Sequence, residues 1–313
     1  SATPSSTCLW GTTSTSVNNA SGASYTTVVG NNTLYYSCTA GTGATTSQAT
    51  TGSWSFSTPS MQSFTVADCG AMAINEITTR VDIRNNKIYN IIKLKMSSDG
   101  SNDRCWMQEN LKIAGVTLTP TDSNVASNFV LPAVATSSPT SSHDVIRPVY
   151  RDISPYNADP YGYLYNWATA IAYSVDQYGA SANNDSRDVT GTAQYSICPK
   201  GWRLPFGSAD NTNEFALVDI YSYGGTGNNR SGDTTILDEW LAPSGFAAVY
   251  GGYGFNNQGV NAYFWSSTTY PPQPSAPSFI GAYRFFLGYT GVIYTQDATS
   301  KTVTFSVRCI FGS

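Results

Sequence analysis

Charge is scarce in this chain. Asp, Glu, Lys and Arg make up 12% of its 313 residues, about half the usual share of roughly 25%. None of them falls within residues 1–67. Ser, Thr, Asn, Gly and Tyr supply the polar surface instead, which suits an extracellular setting where sugars or assembly can cover it. The net charge of -4 argues against a nucleic-acid partner, which needs clustered Lys and Arg. Histidine is nearly missing: His143 stands alone, and no two cysteines have CxxC spacing, so the pattern of a zinc site is not there. No apolar run approaches the ~18 residues that read as a membrane span. No phosphate-cradling glycine loop occurs either, because Gly251-Gly252-Tyr253-Gly254 lies between strand-like runs and not before a helix. A start at Ser1 with no signal-peptide pattern leads us to expect a processed chain.

What is present is cysteine in an even number, and much tyrosine. Six widely spaced cysteines fit three disulfides in an oxidising compartment. The 21 tyrosines suit contact surfaces. Four N-x-Ser/Thr triplets begin at Asn19, Asn31, Asn184 and Asn229, but the triplet alone does not establish glycosylation.

Residues 1–60 read as a small β-type region. Tyr25–Val29 and Thr33–Tyr36 are strand-like, with Gly30-Asn31-Asn32 expected as the hairpin turn between them. Thr51–Ser57 alternates like a strand. Cys8 and Cys38 bracket these runs and are paired in this reading. A flexible Ser/Thr-rich stalk stays open as the alternative.

From Met61 the pattern changes. Thr79–Leu94 reads as two strands around a turn at Arg84-Asn85-Asn86-Lys87, and Asp99-Gly100 marks the next turn. Cys69 and Cys105 flank this meander and are paired. Residues 113–160 carry six prolines and are expected to be an irregular insertion. Tyr161–Tyr173 has apolar residues at helical spacing, and its aromatic stripe reads as core. Asp210-Asn211-Thr212 is expected to cap a helix bearing Phe215, Leu217, Val218 and Tyr221, with a second short helix over Thr234–Leu241. Strands are then expected at Gly245–Tyr250, Ala262–Thr268, Tyr283–Leu287, Val292–Tyr294 and Thr302–Ile310, with an extended Pro-rich loop at Tyr270–Pro274. Strands, two helices and strands again make an α+β domain.

Six segments, taken together and in order, resemble the Fibrobacter succinogenes major paralogous domain family. They are Trp106–Leu111, Tyr161–Trp167, Cys198-Pro199-Lys200-Gly201-Trp202-Arg203-Leu204-Pro205, Gly245–Gly252, Phe264–Thr268 and Ser306–Cys309. The resemblance covers about 61–313 and leaves 1–60 outside. It implies a C-type lectin-like fold, two helices on a twisted antiparallel sheet, related to formylglycine-generating-enzyme-like and hypervariable C-type lectin-fold proteins. It also implies a Cys198–Cys309 disulfide, a structural role for Arg203, and core positions for Trp202, Leu204 and Trp265. In the hypervariable relatives the late strands carry the ligand site.

Chemistry finds little purchase. A calcium-dependent lectin loop would need an acid where Gln273-Pro274-Ser275 has none, and Trp265-Ser266-Ser267 replaces its second element. Asp99, Asn102 and Asp103 could hold a cation, but local Asx-turn bonding explains them better. His143 between Ser142 and Asp144 lacks the marks of a triad, and Asp238-Glu239 reads as helix surface, not as a hydrolytic pair. No catalytic residue, metal or cofactor is therefore expected. The candidate ligand face is Tyr250, Tyr253, Asn256, Asn257, Asn261, Tyr263, Tyr270, Tyr283, Tyr289 and Tyr294, for an unidentified glycan or protein ligand. The expected function is a secreted or cell-surface, non-catalytic binding protein that self-associates through residues 1–60 as a filament subunit. Two alternatives remain: a formylglycine-generating-like or glycan-processing enzyme, and a purely structural pilus-like or surface-layer subunit.

Overall fold

The computed structural model describes residues 7–11, 19–20, 30–39, 50–134, 148–149, 161–179, 186–232, 235–254, 256–272, 274 and 279–312, with backbone only up to residue 58 and at 148–149. It divides into two compact units, Ser1–Ser60 and Met61–Ser313. In the first, β1 (Thr7–Gly11), β2 (Asn19–Ala20), β3 (Gly30–Thr39) and β4 (Thr50–Thr58) form an antiparallel sheet in the order β2-β1-β3-β4. Cys8 and Cys38 are directly opposed in the β1–β3 register; the bond expected between them lies outside the described side chains. Gly30-Asn31-Asn32 is not a turn. These residues begin β3 and pair with Thr58, Ser57 and Phe56 of β4. Long strand pairing overrides the local turn chemistry of Gly-Asn. The run Tyr25–Val29 lies outside the described residues.

The second unit opens with α1 (Val66–Ala71), started by a reciprocal capping box between Thr65 and Asp68. β5 (Ile77–Asp82) and β6 (Lys87–Leu94) form the expected hairpin, with Asn86 at φ 58° in the turn. β6 then pairs with β7 (Arg104–Met107), and the Cys69–Cys105 disulfide ties α1 to β7. The described part of 113–160 is less irregular than expected. It contains the hairpin of β8 (Val116–Leu118) and β9 (Phe129–Leu131), and Pro148 begins the short strand β10 (Pro148–Val149). A strand at a sheet edge tolerates a proline.

Tyr161–Tyr173 is not one helix. β11 (Leu164–Asn166) comes first and α2 (Trp167–Ala170) follows, capped by the Asn166 side chain, with α3 (Val175–Tyr178) beyond. Pairing of Leu164–Asn166 with β16 (Thr304–Ser306) and the hydrogen bonds of the Tyr165 hydroxyl to the Ile113 backbone hold the strand. Its aromatics are core all the same, for Tyr165 and Trp167 are fully buried.

The stretch after Cys198 acts as a brace. Cys198 is bonded to Cys309 across 111 positions, a closure that stabilises by about 4–5 kcal/mol in the chain-entropy description. β12 (Trp202–Arg203) pairs with β17 (Ile310–Phe311), and β17 with β7, giving a sheet in the order β12-β17-β7-β6-β5. The Trp202 indole donates to the Met61 carbonyl. Arg203 grips Glu214 with two nitrogens at 2.7 and 2.8 Å, which fixes the start of α4 (Glu214–Tyr223). That helix is capped by Asn213 and not by Asp210–Thr212. Asp210 instead collects bonds from Ser208 and Thr212, which hold its carboxyl at about 2.

After α5 (Thr235–Trp240) the expected strand at Gly245–Tyr250 is missing. The segment is coil, and buried cross-chain donors take its carbonyls. Gln108 Nε2 donates to Gly245, while Arg308, which has no exposed surface, donates to Phe246 and, at 2.7 Å, to Ala247. Burial pushes the Arg308 guanidinium down to about 9, opposed by Glu109. β13 (Asn261–Tyr270), β14 (Gly281–Gly288) and β15 (Val292–Ser300) complete a second sheet in the order β10-β11-β16-β13-β14-β15. Strand alternation builds two cores. Tyr89, Ile91, Cys105, Met107, Trp167 and Trp265 line one; Ile92, Leu94, Trp106, Phe215, Trp240 and Phe285 line the other. Trp202 and Leu204 are buried with Trp265, as the resemblance implied. The class is α+β, with several small helices among the sheets.

Candidate functional site

β13, β14 and β15 carry half of the candidate residues, and their two faces differ. Phe264, Phe285, Leu287 and Ile293 point toward α4 and α5 and are fully buried. Tyr263, Phe286 and Tyr294 point the other way, in register: Tyr263 opposes Phe286, and Phe286 opposes Tyr294. Their rings touch in sequence. Tyr253 meets Tyr263 edge-on at 5.4 Å, Tyr263 meets Phe286 at 5.0 Å, and Phe286 meets Tyr294 at 5.2 Å. The result is an aromatic strip across three strands. Tyr263 is 8% exposed, while Tyr253, Phe286 and Tyr294 are half-buried. The strip is thus the wet margin of the first core.

Arg284 holds the strip in place. Its guanidinium lies 4.9 Å from the Tyr263 ring, 5.4 Å from Phe286 and 5.5 Å from Phe305. It pairs with Asp297 at 2.5 Å. Its Nε and Nη1 are buried with no acceptor among the described residues, so ring faces take the place of hydrogen-bond partners there. Burial lowers the Arg284 pKa and Asp297 opposes that shift. Three rings locked by one ion-paired cation lose little freedom when something lands on them, which favours binding.

The loop before β13 brings in amide groups. Asn261 Nδ2 donates to the Tyr263 hydroxyl at 3.2 Å. Burial raises the Tyr263 pKa, with Asn257, Arg284 and Asn261 opposing. Asn256 and Asn257 are exposed beside it, Asn257 in the left-handed region at φ 57°. Gly252 is needed to close this loop, because a Cβ there would collide with the Asn256 carbonyl. Tyr289, 60% exposed, stands in the β14–β15 turn, and its N–H donates to Val260 of the same loop region.

The structure therefore gathers Tyr253, Asn256, Asn257, Asn261, Tyr263, Tyr289 and Tyr294 at one end of the β13–β14 hairpin. Tyr270 and Tyr283 lie at the opposite end, and Tyr250 packs against the second core. Sequence reading missed Phe286 and Arg284, which complete the strip. Period-2 alternation with Tyr263 could have found both. Asp99 and Asp103 are engaged locally, Asp99 by Ser101 and Asp103 by the Met96 N–H. Among the described residues, no three His, Cys, Asp or Glu side chains cluster as a metal site would require. His143 lies outside the described residues. Asp238 is exposed on α5, and Glu239 beside it lies 3.7 Å from Arg230. No helix of the described residues is long and apolar enough to cross a membrane. No protein-family model matches the chain, nor does any curated protein or solved structure.

Proposed function

We propose that the chain is a secreted or cell-surface, non-catalytic binding protein. Its domain at 61–313 takes the C-type lectin-like fold and presents the Tyr253–Tyr263–Phe286–Tyr294 strip to a protein or glycan ligand. The observation that carries this is the strip itself: four touching rings, the central two held by Arg284, rimmed by Asn256, Asn257 and Asn261. Rigid amphipathic rings with amide neighbours are the chemistry of contact surfaces. Two buried disulfides are compatible with an extracellular location. Cys198 and Cys309 are bonded to each other, so neither offers the thiol that a formylglycine-generating reaction would need. The test is to screen the full chain against glycan arrays and extracellular protein libraries, then to repeat any positive with Tyr253→Ala/Tyr294→Ala. We expect binding to fall at least about tenfold. Unchanged binding, or no ligand at all, sinks the reading.

A second role, self-association into a filament or surface layer through residues 1–60, is favoured by one observation. β4 is an edge strand of nine residues, paired along one side only among the described residues and free of charge and proline. Such an edge is a template for another strand. Light scattering on the full chain should report multimers that Ser53→Lys/Ser55→Lys reduces. A monomer at all concentrations removes this role without touching the first.

A further inference from the structure

The far end of the β13–β14 hairpin holds a cleft of about 430 Å³, within the range of small-molecule sites. One wall is apolar: Tyr270, Pro272, Phe279 and Tyr283. Tyr270 is held between two ring neighbours, 5.8 Å and 79° from Phe279 and 5.3 Å and 69° from Tyr283. The opposite wall closes in at Gly207, where a Cβ would collide with Ser266 and Tyr283. Its N–H donates to Thr268 Oγ1 at 3.1 Å.

The polar atoms of the cleft are hydroxyls in complementary states. Ser208 Oγ gives its proton to Asp210 at 2.6 Å and keeps lone pairs to accept. Thr268 Oγ1 accepts from Gly207 and lies 3.3 Å from the Thr192 hydroxyl. The phenol hydroxyls of Tyr270 and Tyr283 have no hydrogen-bond partner among the described residues. The ammonium of Lys301, at the cleft floor, bonds the Ser186 and Val189 carbonyls and lies 4.3 Å from the Trp167 ring. Arg187 stands exposed at the rim, and no carboxylate lines the cleft among the described residues.

We propose that this cleft is a second binding site, separate from the strip, and that it takes a neutral pyranose ring without any metal ion. The ligand must offer an apolar face to the Tyr270 ring and hydroxyls that both donate and accept. A pyranose does both. A purely apolar ligand would leave the Tyr270 and Tyr283 hydroxyls unpaired on closing, at a cost per group. A cation would meet no carboxylate. A proline-rich peptide offers acceptor carbonyls alone and leaves the Ser208 lone pairs unused.

The test uses the full chain with four named probes, cellobiose, chitobiose, maltose and lactose, in saturation-transfer NMR and calorimetry. At least one should bind more tightly than ~10 mM, equally well in EDTA. Tyr270→Ala should weaken it at least about tenfold, and Tyr270→Phe by less. Ala209→Trp, at an exposed rim position, should block the cleft while leaving thermal unfolding unchanged, so that a misfolded Tyr270→Ala does not decide the matter. Tyr294→Ala should have no effect. Binding of none of the four, binding lost in Tyr294→Ala but kept in Ala209→Trp, or a deca-proline peptide competing where the sugars fail would each overturn the proposal. Failure of the cleft alone would leave the strip reading standing, so the two can fail separately.

Discussion

On one face of the β13–β15 sheet, Phe264, Phe285, Leu287 and Ile293 are sealed against Phe215, Trp240 and Phe246. On the other, Tyr263, Phe286 and Tyr294 run from the first core out to water. Both faces are aromatic, yet they do different work. The inner rings meet rings from helices and loops: Phe285 lies 4.4 Å from Trp240, 4.8 Å from Phe215 and 5.9 Å from Phe264. The outer rings meet each other, one cation and, at Tyr263, the rings of Phe305 and Tyr253. Phe fills the sealed face because it has no polar atom to satisfy. Tyr suits the open margin because its hydroxyl can stay wet. The comparison teaches that aromatic density alone does not distinguish a sealed face from an open one.

The largest expected effect lies on the inner face. Phe285→Ala removes a fully buried ring with neighbours from two helices and a loop, and should cost about 3–5 kcal/mol in urea unfolding. That is a large part of the roughly 5–15 kcal/mol typical of a native protein. A loss below ~1 kcal/mol would erase the distinction between the faces.

The next effect is a response to pH. Burial pushes the Tyr223 hydroxyl up to about 12, although it donates no bond outward and accepts the Phe246 N–H at 2.7 Å. Burial also raises Tyr89, Tyr165 and Tyr178. In each the folded state keeps its proton above pH 10, where the unfolded chain releases it. Stability is therefore full below about pH 10 and is lost as pH rises through the folded values. Arg308, lowered to about 9 by burial, and Arg284, also lowered, work in the opposite direction over that window, but they are two groups against seven raised tyrosines. Unfolding at pH 8, 10 and 11 should show the decline, and a flat profile would mean that these hydroxyls are wetter than the packing implies.

How much of this was legible follows from the range over which each signal acts. The β5–β6 hairpin, α4, α5 and the strands β13, β14 and β15 are set by local pattern, and they were readable, whereas β11 was read as helix and the run Thr302–Ile310 divides into β16 and β17 of different sheets. The coil at Gly245–Tyr250 was not, because its apolar run imitates a strand and its fate is decided by Gln108 and Arg308, each at least 60 positions away. Gly30–Asn32 failed for a related reason, since its partner β4 lies downstream and local Gly-Asn chemistry speaks for a turn. The candidate face was readable in part. Tyr and Asn enrichment runs the full length of β13 and β14, so composition could not separate the two ends of the hairpin, which only the strand pairing tells apart.

The smallest effect on stability is expected at the margin, where it is the most informative. Tyr294 lies on the edge strand β15, half-buried, and touches Phe286 at 5.2 Å. Tyr294→Ala removes one ring contact and part of a buried side chain, so unfolding should shift by less than about 1 kcal/mol. Its effect on strip ligands should nevertheless be at least about tenfold, because the Arg284 clamp keeps Tyr263 and Phe286 where they are. Tyr294→Phe separates ring from hydroxyl: it should leave stability unchanged and cost binding only if the ligand bonds that hydroxyl. A stability loss for Tyr294→Ala as large as that for Phe285→Ala would make the outer rings ordinary core. The two faces would then be one packing unit, and the case for a displayed strip would fall with the difference between them.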